Sequence, residues 1–194
     1  MLFKPVYRQL PRVLLIAALL AITSACFNNS HSLGNNKRAD RQTIHLSISS
    51  YLGDQQVFVK HDILAFLLSL DSSAYIYVIY EDAAGRLVQV VPNRQQPDSY
   101  YIAGDFISIP PEDARYQLQV SPPFGSETLW VFASDTRPDE NAWAGLTRPS
   151  QLDNGLLLLD TSLDAIQGFL RKQSRSAFGY ASTTLVTQEN PHSQ

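Results

Sequence analysis

The stretch AYIYVIYEDAAGRLVQVVPN, residues 74–93, constrains the fold most, because it is the strongest β-hairpin signal in the chain. Residues 74–80 are rich in Tyr, Ile and Val, which suit a packed, pleated surface. Apolar side chains fall on both faces of this run, so we expect both faces to be buried and the strand to be central. Residues 82–85 end in a glycine that can take a positive φ, as a hairpin loop requires. The chain returns through residues 87–91 and stops at Pro92, which cannot donate to a ladder.

Other segments repeat the strand pattern at intervals of roughly ten residues, with Pro and Gly between them. Residues 43–50 alternate apolar and polar side chains, as in a half-buried strand. Residues 57–70 could be helix or strand by apolar content, and their shortness favours strand. The remaining predicted strands are residues 100–102, 105–109, 116–120, 127–133 and 180–187, of which 127–133 (ETLWVFA) is apolar on both faces and central. The predicted fold class is therefore mainly β, an antiparallel β-sandwich or a partly open barrel.

One helix is predicted near the C-terminus, after a polar, proline-punctuated segment at residues 135–154 that we expect to be a surface excursion. Thr161 is a suitable N-cap, with Asp164 three residues later in capping-box spacing. An apolar stripe follows at Leu163, Ile166, Phe169 and Leu170. Two basic residues, Arg171 and Lys172, lie near the negative end of the helix dipole. These features predict a C-terminal amphipathic helix.

The first 25 residues have the three parts of a signal peptide. Lys4, Arg8 and Arg12 form a basic region, and residues 13–22 (VLLIAALLAI) form an uninterrupted apolar run of ten. Such a run is too short to span a hydrocarbon core about 30 Å thick, which takes roughly 20 residues. Residues 1–25 are therefore predicted to be a signal peptide and not a membrane anchor.

Small residues, Thr23, Ser24 and Ala25, lead directly to Cys26, which is the only cysteine of the chain. This arrangement resembles the lipobox of bacterial lipoproteins, although Thr23 stands where Leu is usual. The resemblance implies cleavage before Cys26 and acylation of that cysteine, with palmitate-type chains. The alternative is an ordinary secretory signal with an incidental cysteine. With no second cysteine, the chain cannot form an internal disulfide.

The mature chain would hold to a membrane through its acyl chains. Removing residues 1–25 takes away three positive charges and no negative ones, so the formal net charge moves from −3 to −6. This negative net charge does not indicate the basic surface that binding to nucleic acid requires. Two or more acyl chains anchor a protein stably, whereas one chain holds only marginally.

The sequence divides the mature chain into three parts. Residues 26–42 are the lipidated cysteine and a polar, Asn-rich tether that would reach about 20 to 25 Å as a coil. Residues 43–188 are the β-rich globular domain, and residues 189–194 are a disordered tail. Residue 27 is Phe and not Asp, so the usual inner-membrane retention signal is missing. Location in the cell envelope is predicted, with the outer membrane facing the periplasm favoured over the inner membrane.

Several segments resemble, in their order, the bacterial domain of unknown function numbered 4384. The resemblance covers residues 43–187 and implies an extracytoplasmic or appended β-rich module, found on lipoproteins or joined to kinase-like and protease-like domains. It brings no established activity and no catalytic residue. The matching pieces are AYIYVIYED, the turn Ala84-Gly85-Arg86, VVPN at 90–93, YIAGDFISIP at 101–110 and SPPFGSETLWVFAS at 121–134.

The candidate binding residues are Tyr100, Tyr101 and Trp143. Prolines near residues 92 and 110 can simply end strands at a sheet edge. Alternatively, they shape a groove beside Tyr100 and Tyr101, where an aromatic ring could stack on a sugar or grip a peptide. Trp143, in the polar segment, is a candidate contact residue, and the alternative is that it folds back onto the domain.

No catalytic or metal-binding motif emerges from the sequence. The four histidines share no metal-ligand spacing, so we predict no metal and no cofactor. His61 and Asp62 could belong to a hydrolase triad, but the chain has no Gly-x-Ser-x-Gly motif, and a solvated turn is the simpler interpretation.

Three hypotheses follow from these features. The first is a membrane-tethered, non-catalytic binding or assembly module of the bacterial envelope that acts through contacts with an envelope protein. The second is a lipoprotein that binds glycan or peptidoglycan. The third, and weakest, is a hydrolase.

Overall fold

The structure, a computed structural model, describes residues 42–51, 53 and 56–190, which belong to one compact unit. The described chain forms fourteen strands and two helices, so the predicted mainly β fold is confirmed. The strands are β1 (Gln42–Thr43), β2 (Leu46–Ser50), β3 (Val57–Val59), β4 (Ile63–Leu64), β5 (Phe66–Leu70), β6 (Ala74–Glu81), β7 (Leu87–Val91), β8 (Tyr100–Tyr101), β9 (Ile107–Ile109), β10 (Leu118–Gln119), β11 (Ser126–Ser134), β12 (Ser150–Gln151), β13 (Leu157–Leu159) and β14 (Ala177–Gln188). The helices are α1 (Glu140–Thr147) and α2 (Leu163–Gln173).

A nine-stranded sheet forms the middle of the domain, and its main order is β1-β14-β11-β6-β7-β13-β12. The predicted hairpin is β6 and β7, and Gly85 in its turn has φ 77°. Both strands predicted to be central, β6 and β11, lie inside the sheet and pair with each other antiparallel. Two short strands, β1 and β3, pair with β14 in parallel, which the predicted antiparallel architecture did not include.

Two smaller sheets cover one face of the large sheet. They are the three-stranded sheet β2-β5-β9 and the two-stranded sheet β10-β4. Ile76 and Val78 of β6 are buried on this face in a cluster with Phe66 and Leu68 of β5 and Ile109 of β9. The packed sheets give the sandwich-like part of the fold, and the described strands form no closed barrel.

The opposite face of the large sheet is covered by the two helices. Tyr77 and Ile79 of β6 are buried there in a second cluster with Ile166 and Leu170 of α2. Both faces of β6 are therefore packed, as its two-sided apolar pattern predicts. Neither helix of the described chain is long and apolar enough to cross a bilayer.

The C-terminal helix is confirmed, with its start one residue later than the sequence suggests. Ser162, and not Thr161, is the N-cap of α2, and its hydroxyl accepts a hydrogen bond from the Ala165 backbone N–H at 3.3 Å. The predicted apolar stripe faces the sheet, since Ile166 and Leu170 are buried there.

The surface excursion predicted at residues 135–154 contains an unpredicted helix, α1. Asp139 is its N-cap and accepts from the Ala142 N–H at 2.7 Å. Arg148 ends the helix in the left-handed conformation, with φ 42°. The same region also contributes β12, which pairs with the unpredicted strand β13. An acidic N-cap followed by Glu140 in the first turn was the available local signal for this helix.

Asp135 joins the end of β11 to the connection between α2 and β14. Its carboxylate accepts hydrogen bonds from the backbone N–H groups of Arg175, Ser176 and Ala177 at 2.8–3.1 Å, and from the Ser176 hydroxyl at 2.6 Å. Partial burial works against the charge, but the hydrogen bonds from Ser176, Arg175 and Ala177 outweigh it and lower the pKa of Asp135. Hydrogen bonds to an ionised carboxylate are stronger than hydrogen bonds between two neutral groups.

Asp135→Asn is expected to lower the free energy of unfolding by about 2 kcal/mol, since charge-assisted hydrogen bonds are lost. Because the folded-state pKa lies below the ordinary value of 3.8, the stabilisation is complete above that value and is lost as pH falls through the folded-state pKa. Urea unfolding at several pH values measures both effects. Asp153→Asn, at an exposed position, is the control. A variant with the wild-type midpoint and the same acid dependence as wild type would contradict this role.

Candidate binding cleft

The described residues include three of the four predicted site residues. Cys26, the predicted lipidation site, lies outside them. Tyr100 and Tyr101 form β8, which pairs with the start of β6. Trp143 lies on α1.

The two tyrosines point to opposite faces of the sheet, as neighbours on a strand do. Tyr100 is 48% exposed and packs its ring against Tyr75, with centroids 5.0 Å apart. Tyr101 is half-buried and packs against the cluster between the sheets. Burial raises the pKa of Tyr101, and its hydroxyl accepts a hydrogen bond from the Gln96 amide.

Trp143 is buried, with 7% of its surface exposed, and is therefore not available as an exposed contact residue. Its ring packs between Tyr77 of β6 and Phe169 of α2, with centroid distances of 4.8 and 5.8 Å. Its indole N–H donates to the Gln89 side-chain oxygen at 2.9 Å. The structure thus corresponds to the alternative that this side chain folds back onto the domain.

A cleft runs along the extended segment 113–121, between that segment and the loops at 94–96 and 152–154. It consists of three hollows of about 860, 630 and 210 Å³ that share lining residues where they meet. The first two share Gln95 and Tyr116, and the last two share Gln119 and Asn154. We call this continuous surface the cleft.

Side-chain amides are the commonest polar groups of the cleft. Those that line it belong to Gln95, Gln96, Gln117, Gln119 and Asn154. An amide side chain offers both donors and an acceptor, so it can satisfy either kind of polar group on a ligand. Residues 116–120 were predicted only as a strand, and no sequence pattern indicated a cleft there, because the partners of Gln117 and Gln119 across it are distant in the chain.

Asn93, at the end of the VVPN motif, holds one wall of the cleft in place. Its side chain is 4% exposed and donates to the Val90 carbonyl at 2.7 Å. Its side-chain oxygen accepts from the backbone N–H groups of Gln95 and Gln96 at 2.7 and 2.9 Å. The Tyr116 hydroxyl donates to the Gln96 side-chain oxygen at 2.9 Å, and burial raises the pKa of Tyr116 to about 12. These bonds fix the wall before any ligand arrives.

Charges of both signs stand along the cleft. Arg94, Arg115 and Asp113 line the largest hollow, and Asp153 lines the next. Arg94 donates to the Gln151 side-chain oxygen at 2.5 Å, so its guanidinium is held toward β12. Arg115 is exposed. The guanidinium fork of Arg115 is suited to a carboxylate of a ligand.

Glu127 of β11 lies in the smallest hollow and is 3% exposed. Its carboxyl accepts hydrogen bonds from the hydroxyl of Tyr80 on β6 and, at 3.0 Å, from that of Thr187 on β14. Burial raises the pKa of Glu127, although the two hydroxyl groups oppose the shift. Burial and the bond to Glu127 also raise the pKa of Tyr80. This network crosses three neighbouring strands and closes the end of the cleft.

Asp62, which was considered for a hydrolase triad, and two further carboxylates have hydrogen-bond partners within the protein. Asp62 accepts from the Val59 N–H at 2.8 Å, and Asp71 accepts from the His45 N–H at 3.0 Å. Asp82, beside Glu127 in the smallest hollow, accepts from two backbone N–H groups of its own turn and from the Arg86 guanidinium. Within the described residues, no group of three or more His, Cys, Asp or Glu could hold a metal ion.

A second surface feature is apolar. Residues 102–106 form a loop between β8 and β9, with Ile102 68% exposed and Phe106 79% exposed. We call Tyr100, Ile102 and Phe106 the apolar tip. All three residues were predicted to lie in short strands, and of the three only Tyr100 was predicted to be a binding residue, beside a groove.

Comparison with known protein families gives one match, at residues 57–137. Neither a curated protein nor a solved structure matches the chain. The matched residues run from β3 to just after β11, and they include most of the cleft and the whole apolar tip. The match is shorter than residues 43–187, and it omits α1, α2 and β14. Residues 57–137 of this chain match the model of a domain of unknown function, DUF4384.

Proposed function

We propose that this chain is a membrane-tethered lipoprotein of the bacterial cell envelope that acts as a non-catalytic binding or assembly module through protein contacts. The cleft is its binding site, and an extended polypeptide segment of an envelope protein is its ligand. Acyl chains on Cys26 hold the module to the outer membrane facing the periplasm. The observation that supports this function is the row of amide side chains along a preformed cleft.

An extended peptide fits the chemistry of this row. Each peptide unit carries one donor and one acceptor that must be satisfied when water is excluded. Gln95 and Gln119 each donate one hydrogen bond to a backbone carbonyl, and the Asn154 side chain accepts one from a backbone N–H. The remaining donor and acceptor sites of these amides can satisfy such groups from both walls of the cleft. Arg115 and Asp153 add charges of opposite sign, so the favoured peptide carries charged side chains of both signs.

The non-catalytic part of the proposal is supported by the partners of the acidic groups. Asp82 is engaged by the turn that contains it, and both oxygens of Glu127 accept from protein hydroxyl groups. A general acid or base must reach a ligand atom within hydrogen-bond distance. These carboxyl groups instead stabilise the hairpin and the three strands that frame the cleft.

A glycan is the second candidate ligand, because side-chain amides also hydrogen-bond sugar hydroxyl groups. Stacking on a sugar requires an exposed aromatic face, however. The tyrosines that line the cleft are the buried Tyr116, whose hydroxyl donates to Gln96, and the half-buried Tyr80, whose hydroxyl donates to Glu127. The amide row therefore supports a peptide better than a saccharide.

The test uses the full lipidated chain in detergent and a phage-displayed library of random twelve-residue peptides. We expect enriched peptides whose affinity falls at least tenfold in the double variant Arg115→Ala with Gln119→Ala, at an unchanged melting temperature. Lys172→Ala with Gln167→Ala on α2 is the matched control and should bind as wild type. Wild-type affinity in the cleft variant would contradict the proposal. Binding of soluble peptidoglycan fragments that the cleft variant alone loses would favour the glycan.

A further inference from the structure

The loop that carries the apolar tip and the chain segment that leads to Cys26 both extend from the same end of the large sheet. Cross-strand partners form one row through five strands, Thr43–Phe178–Ser134–Tyr75–Tyr100. Beyond this row, the backbone before Gln42 continues toward Cys26, and the backbone after Tyr101 continues into residues 102–106. Strands lie about 4.8 Å apart, so the two exits are separated by roughly 19 Å.

Hydrogen bonds connect these two exits through the turn between β5 and β6. Near β1, the His45 N–H donates to the Asp71 side chain, and the Asp71 N–H donates to the His45 carbonyl, both at 3.0 Å. On the other side of the turn, the Ala103 N–H donates to the Ser73 hydroxyl at 2.9 Å. The loop that carries the apolar tip is thus attached to the tethered end of the domain.

The side chains of the apolar tip have the composition of an interfacial anchor. Phe106 and Ile102 expose most of their apolar surface to water, and Tyr100 adds an aromatic ring with a polar hydroxyl. Phe and Ile gain from leaving water, and Tyr is favoured at the boundary between lipid head groups and hydrocarbon. A soluble ligand in the cleft would not cover these side chains, because none of the three lines it.

The charges in this part of the chain are compatible with a lipid surface. Asp71 and Asp105 are exposed at this end of the domain. In the sequence, the three basic residues Lys37, Arg38 and Arg41 lie within five positions before Gln42, together with Asp40. Basic groups near a membrane are attracted to anionic head groups. Asp40, Asp71 and Asp105 balance these three basic groups, so the contact depends on the apolar side chains and not on an excess of positive charge.

We propose that the apolar tip, formed by Tyr100, Ile102 and Phe106, inserts into the head-group region of the bilayer that holds the acyl chains of Cys26. This inference rests on the proposed lipid anchor. Fifteen residues lie between Cys26 and Gln42, and the sixteen Cα-to-Cα steps span at most about 55 Å. The anchor therefore keeps the tip within reach of the surface, and a weak contact becomes effectively intramolecular. The contact would turn the tethered end of the sheet toward the lipid.

The test takes advantage of the single cysteine, which acylation blocks, so that an introduced cysteine is the one reactive thiol. The full lipidated chain with Phe106→Cys is labelled with a nitrobenzoxadiazole dye and reconstituted into vesicles. The vesicles are three parts phosphatidylethanolamine to one part phosphatidylglycerol, with or without nitroxide-labelled lipid. The matched control is Val186→Cys, which is 48% exposed and lies near the other end of β14.

We expect nitroxide lipid to quench the dye at position 106 at least twofold more than the dye at position 186. Equal quenching at the two positions, in protein that floats with the vesicles, would overturn the membrane contact and leave the anchor intact. Protein that fails to float would overturn the anchor and the contact together. If the dye fluorescence at position 106 instead increases with protein concentration and does not change with nitroxide lipid, the tip contacts a second copy of the chain. This result would also overturn the proposal.

Discussion

Replacing Val78 with aspartate is expected to unfold the protein. Val78 is fully buried on β6, where it pairs with Val131 of β11 and Val91 of β7. An unpaired charge there would cost about 3–5 kcal/mol, and the lost burial of valine adds about 2 kcal/mol. The sum is comparable with the whole stability of a typical domain, which is roughly 5–15 kcal/mol. Far-UV circular dichroism and thermal melting of the purified variant measure the effect.

The matched control makes the same substitution where the side chain is exposed. Val186→Asp, on β14, should change the free energy of unfolding by less than about 1 kcal/mol, as most surface substitutions do. A Val78→Asp variant that keeps the β spectrum and melts within a few degrees of wild type would show that β6 is not the centre of the fold.

Replacing Cys26 with serine is expected to release the protein from membranes completely. The acyl chains proposed for Cys26 are the anchor, and two or more such chains hold a protein stably where a weak surface contact does not. Incorporation of a fatty-acid analogue should therefore disappear, and the protein should move to the soluble fraction after a carbonate wash. Ser30→Ala, in the same segment, should remain labelled and membrane-bound.

A Cys26→Ser protein that stays in the washed membrane pellet, with the mobility of wild type on a gel, would contradict the lipoprotein proposal. The apolar tip alone exposes only three large side chains, so it is not expected to hold the protein through such a wash.

The hairpin of β6 and β7 could be predicted because its signals are local. The apolar run, the turn residues and Pro92 lie within twenty positions of one another, and each favours the same structure. The two-sided pattern of residues 74–80 also predicted burial on both faces, which the two core clusters confirm. The amphipathic helix α2 was predictable for the same reason.

Helix α1 was not predicted, and the burial of Trp143 was one of two open alternatives, because the contacts that stabilise them are distant in sequence. The helix has eight residues, a length that is marginal without tertiary packing. Its tryptophan is held by Tyr77, Gln89 and Phe169, which come from three other elements. The polar residues around Trp143 in the sequence indicate only the exposed side of the helix. They give no information on its buried side.

The cleft could be predicted only in part. A groove beside prolines near residues 92 and 110 was one of two interpretations, and the cleft does pass Pro111 and the Gln96 that contacts Tyr101. Tyr100 faces away from it and belongs to the apolar tip. The amide row joins residues from segments 94–96, 113–121 and 152–154, and no local pattern reveals that the fold brings these segments together.

Site-specific photocrosslinking in the living envelope tests the central claim most directly. A photoreactive benzoylphenylalanine replaces the exposed Gln119 in the cleft or, as a control, the exposed Lys172 on α2. The proposed function predicts a discrete protein adduct from position 119 in membrane-bound protein, and none from position 172. No adduct at position 119, or equal adducts at both positions, in protein that remains lipidated and membrane-bound would contradict a tethered module that binds its partner through the cleft.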